Sequence, residues 1–176
     1  MYAQVQPFIQ DTQMLNDFAH RYKQTKEILF QLLDSPVQFT QHIGGTRHMK
    51  YPTEPILDIL VGVENLHQIT ALDEKRLNYV GFYRLHHAYH KKVMMAQFNN
   101  LTELKQISRL HIIQMSHPIF KQYQTIDHLL ETDISFATQF ASYKEQIISQ
   151  QTSIRSYEAQ KEAFFIHMTQ HRNYKL

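Results

Sequence analysis

Residues 42–46 read His-Ile-Gly-Gly-Thr and are followed, after a loop, by Pro-Ile-Leu-Asp-Ile-Leu at residues 55–60. A turn of small residues after a strand exposes backbone N–H groups at close range, an arrangement that suits a phosphate. An acid inside an apolar strand, here Asp58, is costly unless it is paired, protonated or bound to a cation. The two segments together predict a site for a phosphate and a metal ion. The structural alternative is that Gly44 and Gly45 form an ordinary turn and that Asp58 bonds to a nearby arginine or to the backbone.

The segments around this motif have the patterns of a sheet. Apolar and polar residues alternate over Val37–Ile43, which is typical of a half-buried strand with Val37, Phe39 and Ile43 on one face. Ile56–Val63 is apolar except for one acid and predicts a central strand covered on both faces. Further candidate strands are Tyr79–Arg84 and Lys91–Phe98, joined by a His-rich turn around residues 86–88, and Ile107–Met115, in which Arg109, His111 and Ile113 share one face.

Apolar residues at a spacing of 3.6 predict helices on either side of these strands. The first helix starts at Asp11 or Thr12 and ends before Pro36, and another covers Leu66 to Leu77. Beyond the last strand the chain is helical, with caps at Ser116 and Asp133 and a last helix over Ile154–Met168. We therefore predict an α/β (α+β) fold with a mixed β-sheet core, an N-terminal helix and a C-terminal helical segment. We expect one domain over residues 1–176, with its core at about 11–115 and the C-terminal helices at about 116–172.

Composition narrows the class of function. The chain has 176 residues, of which 43% are hydrophobic and 19% charged, a balance typical of a globular protein. The absence of Cys excludes a disulfide scaffold, a Cys-ligated metal and thiol catalysis. With 18 Lys+Arg against 16 Asp+Glu, the net charge does not indicate a nucleic-acid or anionic-membrane partner. We expect a cytoplasmic protein, because no stretch reaches the roughly 18 apolar residues of a membrane span and the N-terminus lacks a signal-peptide pattern.

The two motif segments resemble the signature of the GrpB-like proteins, a family of small bacterial proteins in the nucleotidyltransferase superfamily. That signature reads His-Ile-Gly-Ser-Thr, a loop ending in Lys-Pro, and then Ile-Ile-Asp-Ile. The residues that match it in register are His42, Ile43, Gly44, Thr46, Pro55, Ile56, Asp58 and Ile59. Weaker matches at Gly81-Phe82, at residues 110–112 and at Tyr157, Lys161 and Phe164 extend the resemblance from about Phe18 to Met168.

The resemblance implies a nucleotidyltransferase-type core that binds a nucleotide or another phosphorylated small molecule. In that superfamily the turn, here Gly44, Gly45 and Thr46, holds the triphosphate, and carboxylates on the next strand hold magnesium. The resemblance therefore implies that Asp58, with Mg²⁺ bound, is a catalytic residue for transfer of a nucleotidyl or related phosphoryl group. In the superfamily, a later strand brings a third carboxylate to the two on the first strand. Here His111 stands in the place of that third carboxylate and is a second candidate catalytic residue.

Three more residues are candidates for contacts with phosphate. His42 precedes the turn, Arg47 follows it, and Lys161 shares a helix face with Tyr157, from which it could reach across a cleft. For His111 the structural alternative is a hydrogen-bonded core histidine, because imidazole suits transition metals better than magnesium. The histidines at 86, 87 and 90 lack the spacing of a metal site.

Departures from the family pattern leave the function open. Leu60 lies on the same strand face as Asp58, where an active nucleotidyltransferase carries its second metal carboxylate. Glu54 stands where the family usually has Lys, and Gln41 where an acid is common. Besides nucleotidyl transfer, we therefore keep a non-catalytic binding or scaffold domain and a metal-dependent hydrolase as alternatives, the latter using His42, His111 and Asp58. The sequence does not indicate the acceptor substrate or the oligomeric state.

Overall fold

The computed structural model describes residues 5–69, 71–85, 91–150 and 153–172. In chain order the main elements are α1 (Leu15–Gln31), β1 (Val37–Ile43), β2 (Leu57–Val63), α2 (Ala71–Tyr79), β3 (Phe82–Arg84), β4 (Lys92–Phe98), β5 (Gln106–Gln114), α3 (Pro118–Thr132), α4 (Ile134–Ser149) and α5 (Ile154–Arg172). Short 3-10 turns cover Thr12–Met14, Gly45–Arg47 and Leu66–Gln68. The predicted fold class is confirmed: a mixed sheet lies between an N-terminal helix and a C-terminal helical segment.

The strands form one sheet in the order β1-β2-β5-β4-β3. Only the β2–β5 pair is parallel in this sheet, and its register places Asp58 beside Arg109 and Leu60 beside His111. The strand that comes last in the chain, β5, therefore occupies the middle of the sheet. Its neighbour β2 is buried except at Asp58, as its apolar sequence predicts.

One face of the sheet packs against α1 and α2. Alternate residues of β2 and β5, among them Leu57, Ile59 and Ile112, form this core with Phe18 and Leu29 of α1. The opposite face carries the other alternate residues, because successive side chains of a strand point to opposite sides. There Leu60 packs with Ile43, Ile113 and Phe120 of α3. Asp58, two residues before Leu60, thus lies on the face that the C-terminal helices cover.

Strand β1 departs from strict alternation. Its pairing with β2 shifts between Val37 and Phe39. An extra residue in one strand of a pair exchanges the faces on which the flanking side chains lie. Val37 accordingly packs in the core under α1, whereas Phe39 packs under α3. The prediction that Val37, Phe39 and Ile43 share one face is therefore wrong.

The segment before β3 also differs from the predicted one. The helix predicted over Leu66 to Leu77 is a 3-10 turn followed by α2, and α2 continues to Tyr79. The next strand starts only at Phe82, because Gly81 has a φ of 88° and turns the chain first. The predicted His-rich turn at 86–88 and the histidine at 90 lie outside the described residues.

Of the two helix caps predicted at Ser116 and Asp133, the structure has one. Asp133 caps α4 by accepting a hydrogen bond from the Phe136 N–H at 2.9 Å. At α3 the cap is His117 rather than Ser116, because the helix starts at Pro118 and the imidazole accepts from the Ile119 N–H. None of the helices in the described part of the chain is long and apolar enough to cross a membrane.

Candidate functional site

A cavity of about 500 Å³ lies between the sheet and the C-terminal helices. Its polar lining includes Asp58 and His111 from the sheet, Asp127 from α3, and Glu158 and Lys161 from α5. Its apolar lining comes from the helices and from the segment before β2, and includes Tyr51, Ile126, Leu130, Phe140 and Phe165. The cavity therefore has polar groups from both the sheet and the helices, beside an apolar wall that includes aromatic side chains.

Asp58 and His111 meet across the parallel strand pair. His111 Nε2 lies 2.9 Å from Asp58 Oδ1, and the Asp58 side chain is 25% exposed. Burial acts to raise the pKa of Asp58, but Arg109 and His111 outweigh it and hold that pKa well below its usual value. Burial lowers the pKa of His111, more than Asp58 raises it. Because an ionised carboxylate can only accept, the imidazole Nε2–H is the donor in this hydrogen bond.

A buried arginine lies behind this pair. Arg109 is 3% exposed, and its guanidinium bonds to Glu158 at 2.8 Å and to Glu54 at 3.2 Å. Its Nε lies 3.9 Å from Asp58 Oδ1. Lys161 approaches the same carboxylates, at 2.9 Å from Glu158 and 4.0 Å from Glu54. One arginine thus ties β5 to the loop before β2, to β2 itself and to α5.

The Gly44 turn already holds an anionic oxygen. Asp127 Oδ1 accepts a hydrogen bond from the Gly44 N–H at 2.8 Å. Its other oxygen accepts from Gln41 Nε2 at 3.2 Å and pairs with Arg47 Nη2 at 3.2 Å. Burial raises the pKa of Asp127 despite these donors. A carboxylate from α3 therefore occupies the position where the sequence predicts a phosphate.

The two positions of the turn require glycine for different structural reasons. Gly44 has a φ of 80°, which favours glycine, and a β-carbon there would lie 3.5 Å from Asp58 Oδ2. A β-carbon on Gly45 would lie 2.5 Å from Cβ and 2.7 Å from Oγ1 of Thr53. Thr53 thus fills the space that a serine side chain at position 45 would need.

Of the residues predicted to contact phosphate, His42 and Thr46 do not line the cavity, whereas Arg47 contacts Asp127, the carboxylate held at the Gly44 turn. His42 is on the opposite face of the sheet, where it stacks on Tyr22 of α1 at a ring distance of 5.5 Å and bonds to Thr46 Oγ1 at 3.1 Å. Thr46 is buried, and its hydroxyl donates to the Ile56 carbonyl. Arg47 pairs with Asp127 and Glu131 of α3. Alternation along β1 puts His42 on the side away from Ile43, so a hydrolase centre of His42, His111 and Asp58 does not assemble.

Gly44, Gly45, Asp58, His111 and Lys161 do line the cavity. The donor set around Asp58 does not fit the predicted magnesium ion, because magnesium needs several oxygen ligands and Asp58 Oδ1 is bonded to His111 with the Arg109 guanidinium nearby. Leu60 supplies no second carboxylate and is fully buried. Within the described ranges no three His, Cys, Asp or Glu side chains are grouped so that they could hold a metal ion.

Comparison with known proteins assigns the chain to a family. The family described as "GrpB protein" matches residues 9–171, nearly the whole chain. The chain belongs to the GrpB family. Glutamate-rich protein GrpB of Alkalihalophilus pseudofirmus is 24% identical over 127 residues, which are 72% of this chain and 73% of that protein. The crystal structure of GrpB from Enterococcus faecalis superimposes with a TM-score of 0.70 at 20% identity, covering 88% of this chain and 91% of that one.

A weaker similarity links this GrpB-family chain to Cid1. The structure of Cid1 in complex with the UTP analog UMPNPP matches with a TM-score of 0.44 at 11% identity, covering 78% of this chain and 44% of Cid1. Cid1 poly(U) polymerase with Mg 3′-dATP bound matches with a TM-score of 0.46 over the same shares. The E. faecalis relative is thus the match that supports the fold.

The charged residues that the helices bring to the cavity could not be predicted from the sequence. Asp127, Lys144 and Glu158 lie on α3, α4 and α5, where charged residues are normally solvent-exposed. Glu54 stood out only as a departure from the family pattern. Its partner Arg109 was a usable signal, since a basic residue on the same strand face as His111 needs buried counter-charges.

Proposed function

We propose that this GrpB-family protein binds a nucleotide or another phosphorylated small molecule in the cavity, without catalysing nucleotidyl transfer. The observation that carries the proposal is the oxygen-binding position at Gly44, where a backbone N–H, an amide and a guanidinium converge on Asp127. Such a set of donors recognises phosphate oxygens as well as carboxylate oxygens. A phosphate binds there by displacing the Asp127 carboxylate.

The rest of the cavity suits the remainder of such a ligand. Its volume of about 500 Å³ lies in the usual range for small-molecule sites. Tyr51, Phe140 and Phe165 offer aromatic surface for a planar base. Asp58 and Glu158 offer acceptors for ligand hydroxyl or amino groups.

The same geometry argues against magnesium-dependent transfer. Two carboxylates on one strand face hold the metal pair that activates the attacking oxygen. Here the second position is Leu60, packed among apolar side chains, and the first is engaged by His111. The binding alternative therefore accounts for more of the observed contacts than nucleotidyl transfer does.

The proposal is tested by measuring unfolding with inorganic phosphate, AMP and ATP, each with EDTA and with MgCl₂. We expect a nucleotide to stabilise the protein equally with and without magnesium, by about 2.7 kcal/mol when the ligand is at about 100 times its Kd. Asp127→Ala frees the donors at Gly44 and should tighten phosphate binding. Glu131→Ala, which removes the other partner of Arg47 on the same helix, is the matched control.

Two results would overturn this proposal. If neither the wild type nor Asp127→Ala is stabilised by any of the three ligands, the turn is not a phosphate site. If stabilisation requires magnesium and is lost in Asp58→Ala, the transfer hypothesis is the better one. A labelled-nucleotide transfer assay on the same samples then measures the activity directly.

A further inference from the structure

Lys144 of α4 is a buried amine in the wall of the cavity. Only 3% of the residue is exposed. Its Nζ lies over the rings of Phe8, Tyr51 and Phe140 at 4.4, 4.8 and 5.0 Å, and it donates to the carbonyl of Pro52. Aromatic faces and one carbonyl oxygen therefore surround the amine.

Lys144 differs from the other lysines of the cavity in its partners. Lys92 pairs with Glu162 at 2.7 Å, and Lys161 pairs with Glu158 at 2.9 Å. No carboxylate of the described residues lies within 4.0 Å of Lys144 Nζ. No salt bridge with these residues therefore stabilises the protonated form of the amine. An amine in an apolar pocket beside a second cation is more easily deprotonated than an exposed one.

Charged groups around Lys144 act in both directions. Burial lowers its pKa most, and Lys161 lowers it further, whereas Glu54, Asp58 and Glu158 raise it. The balance puts the pKa of Lys144 at about 7. Near neutral pH a large fraction of this amine therefore carries a free electron pair.

We propose that Lys144 is a nucleophilic amine that forms an imine with the carbonyl group of an aldehyde bound in the cavity. The Nζ electron pair attacks the carbonyl carbon, a C–N bond forms, and one Nζ proton moves to the carbonyl oxygen to give a carbinolamine. That oxygen then leaves as water with the second Nζ proton, and a C=N bond remains. The step needs no oxidant or reductant, and the enclosed aromatic wall slows the reverse hydrolysis by limiting water.

The test is labelling with benzaldehyde and sodium cyanoborohydride, which reduces the imine to a stable secondary amine, followed by peptide mass spectrometry. Benzaldehyde carries no phosphate, so the result is independent of the proposed phosphate site. At pH 7 we expect Lys144 to be modified at least about tenfold faster than the exposed Lys50 and Lys121 of the same sample, because its lowered pKa leaves more of its amine unprotonated. Its labelling rate should rise with pH and reach half its maximum near pH 7.

Lys144→Arg is the matched variant, because guanidinium keeps the charge and the ring contacts but forms no imine under these conditions. It should remove the Lys144 adduct and leave labelling of Lys50 unchanged. Wild-type protein unfolded in urea gives a second comparison that does not depend on any variant, and there the preference for Lys144 should vanish. Folded protein in which Lys144 is labelled no faster than Lys50 and Lys121 would overturn the proposal.

Discussion

A β-carbon at position 45, beside the cavity, would overlap with the side chain of Thr53. Because that carbon would lie 2.5 Å from Thr53 Cβ, Gly45→Ala should lower the free energy of unfolding by about 1–3 kcal/mol, the usual cost of overpacking. Removing only the Thr53 hydroxyl and methyl with Thr53→Ala leaves the clashing β-carbon in place. Thr53→Gly removes it, so the Gly45→Ala/Thr53→Gly protein should be more stable than the two single effects predict.

The measurement is a double-mutant cycle by urea unfolding. Gly44→Ala is a comparison at the neighbouring position, where a β-carbon meets nothing closer than 3.5 Å and the cost comes from the backbone angle instead. It should show no coupling to Thr53→Gly. Additive effects of Gly45→Ala and Thr53→Gly would contradict the steric explanation.

Arg109 is the residue on which the buried charges depend. Replacing it with Met leaves Glu54, Asp58 and Glu158 without their shared cation, and breaking a buried ion pair by removing one partner costs about 3–5 kcal/mol. We expect Arg109→Met to lose stability of that order in urea unfolding at pH 7. Lys161→Met removes a more exposed cation from the same carboxylates and should cost much less. Equal losses in the two variants would show that Arg109 does not balance the cluster.

Single residues on strands were predictable where alternation and pairing act together. Asp58 and His111 were expected to face each other, and parallel pairing of β2 with β5 puts them 2.9 Å apart, although their catalytic roles stay predictions. The same alternation places His42 on the opposite face from Ile43, whereas the family motif favours a position for His42 beside the phosphate turn. The β1 bulge had no such signal, since the sequence around Gln38 alternates without interruption.

At the scale of elements, α3 decides what position 60 can hold. Leu60 is fully buried and packs against Phe120 of that helix. Leu60→Asp, which would restore the carboxylate pair of a nucleotidyltransferase, should instead destabilise the protein by at least the ~2–5 kcal/mol of a Leu→Ala change, because a charge would be buried among apolar groups.

Thermal unfolding with and without MgCl₂ checks this expectation, with Leu60→Met as the control that keeps volume and polarity. Leu60→Met should stay within about 1.5 kcal/mol of the wild type. A folded Leu60→Asp protein that gains stability from magnesium would show that the site can accept the metal pair, against our interpretation.

The helices explain why half of the site escaped prediction. A strand's side-chain faces follow from its sequence, whereas the face that a helix turns to a sheet is set by packing with distant elements. Asp127 follows Ile126, and Lys144 lies on the helix face of Phe140 and Ile147, but charged residues beside an apolar stripe are normally solvent-exposed, so the patterns did not indicate burial. Both become recognisable only once α3 and α4 are placed over Tyr51 and the Gly44 turn.

At the scale of the whole molecule, buried histidines make stability depend on pH. Burial, together with Arg47 and His48, lowers the pKa of His42 to about 4, despite the opposing effect of Asp58. In the unfolded chain that pKa is about 6.5, so between pH 6.5 and 4 the unfolded state binds a proton that the folded state does not. Stability should therefore fall as the pH falls through this window, by up to about 1.4 kcal/mol per pH unit from His42.

Urea unfolding at a series of pH values from 7.5 down to about 4 measures this effect. His42→Gln should flatten the curve, because the amide can still bond to Thr46 but does not titrate. His20→Gln on the exposed face of α1 is the matched control. Asp58 and Glu158, whose pKa values are lowered in the folded protein, extend the loss to still lower pH. An unchanged slope in His42→Gln would contradict the burial effect.

The position of β5 has a consequence for synthesis on the ribosome. The nascent chain exposes the inner edges of β2 and β4 until residues 106–114 have left the exit tunnel, because β5 alone separates those two strands. Unpaired edges of apolar strands readily pair with other chains. Chains that stall or are cut between β4 and β5 should therefore aggregate, and codons that slow translation in that interval should lower the yield of native protein.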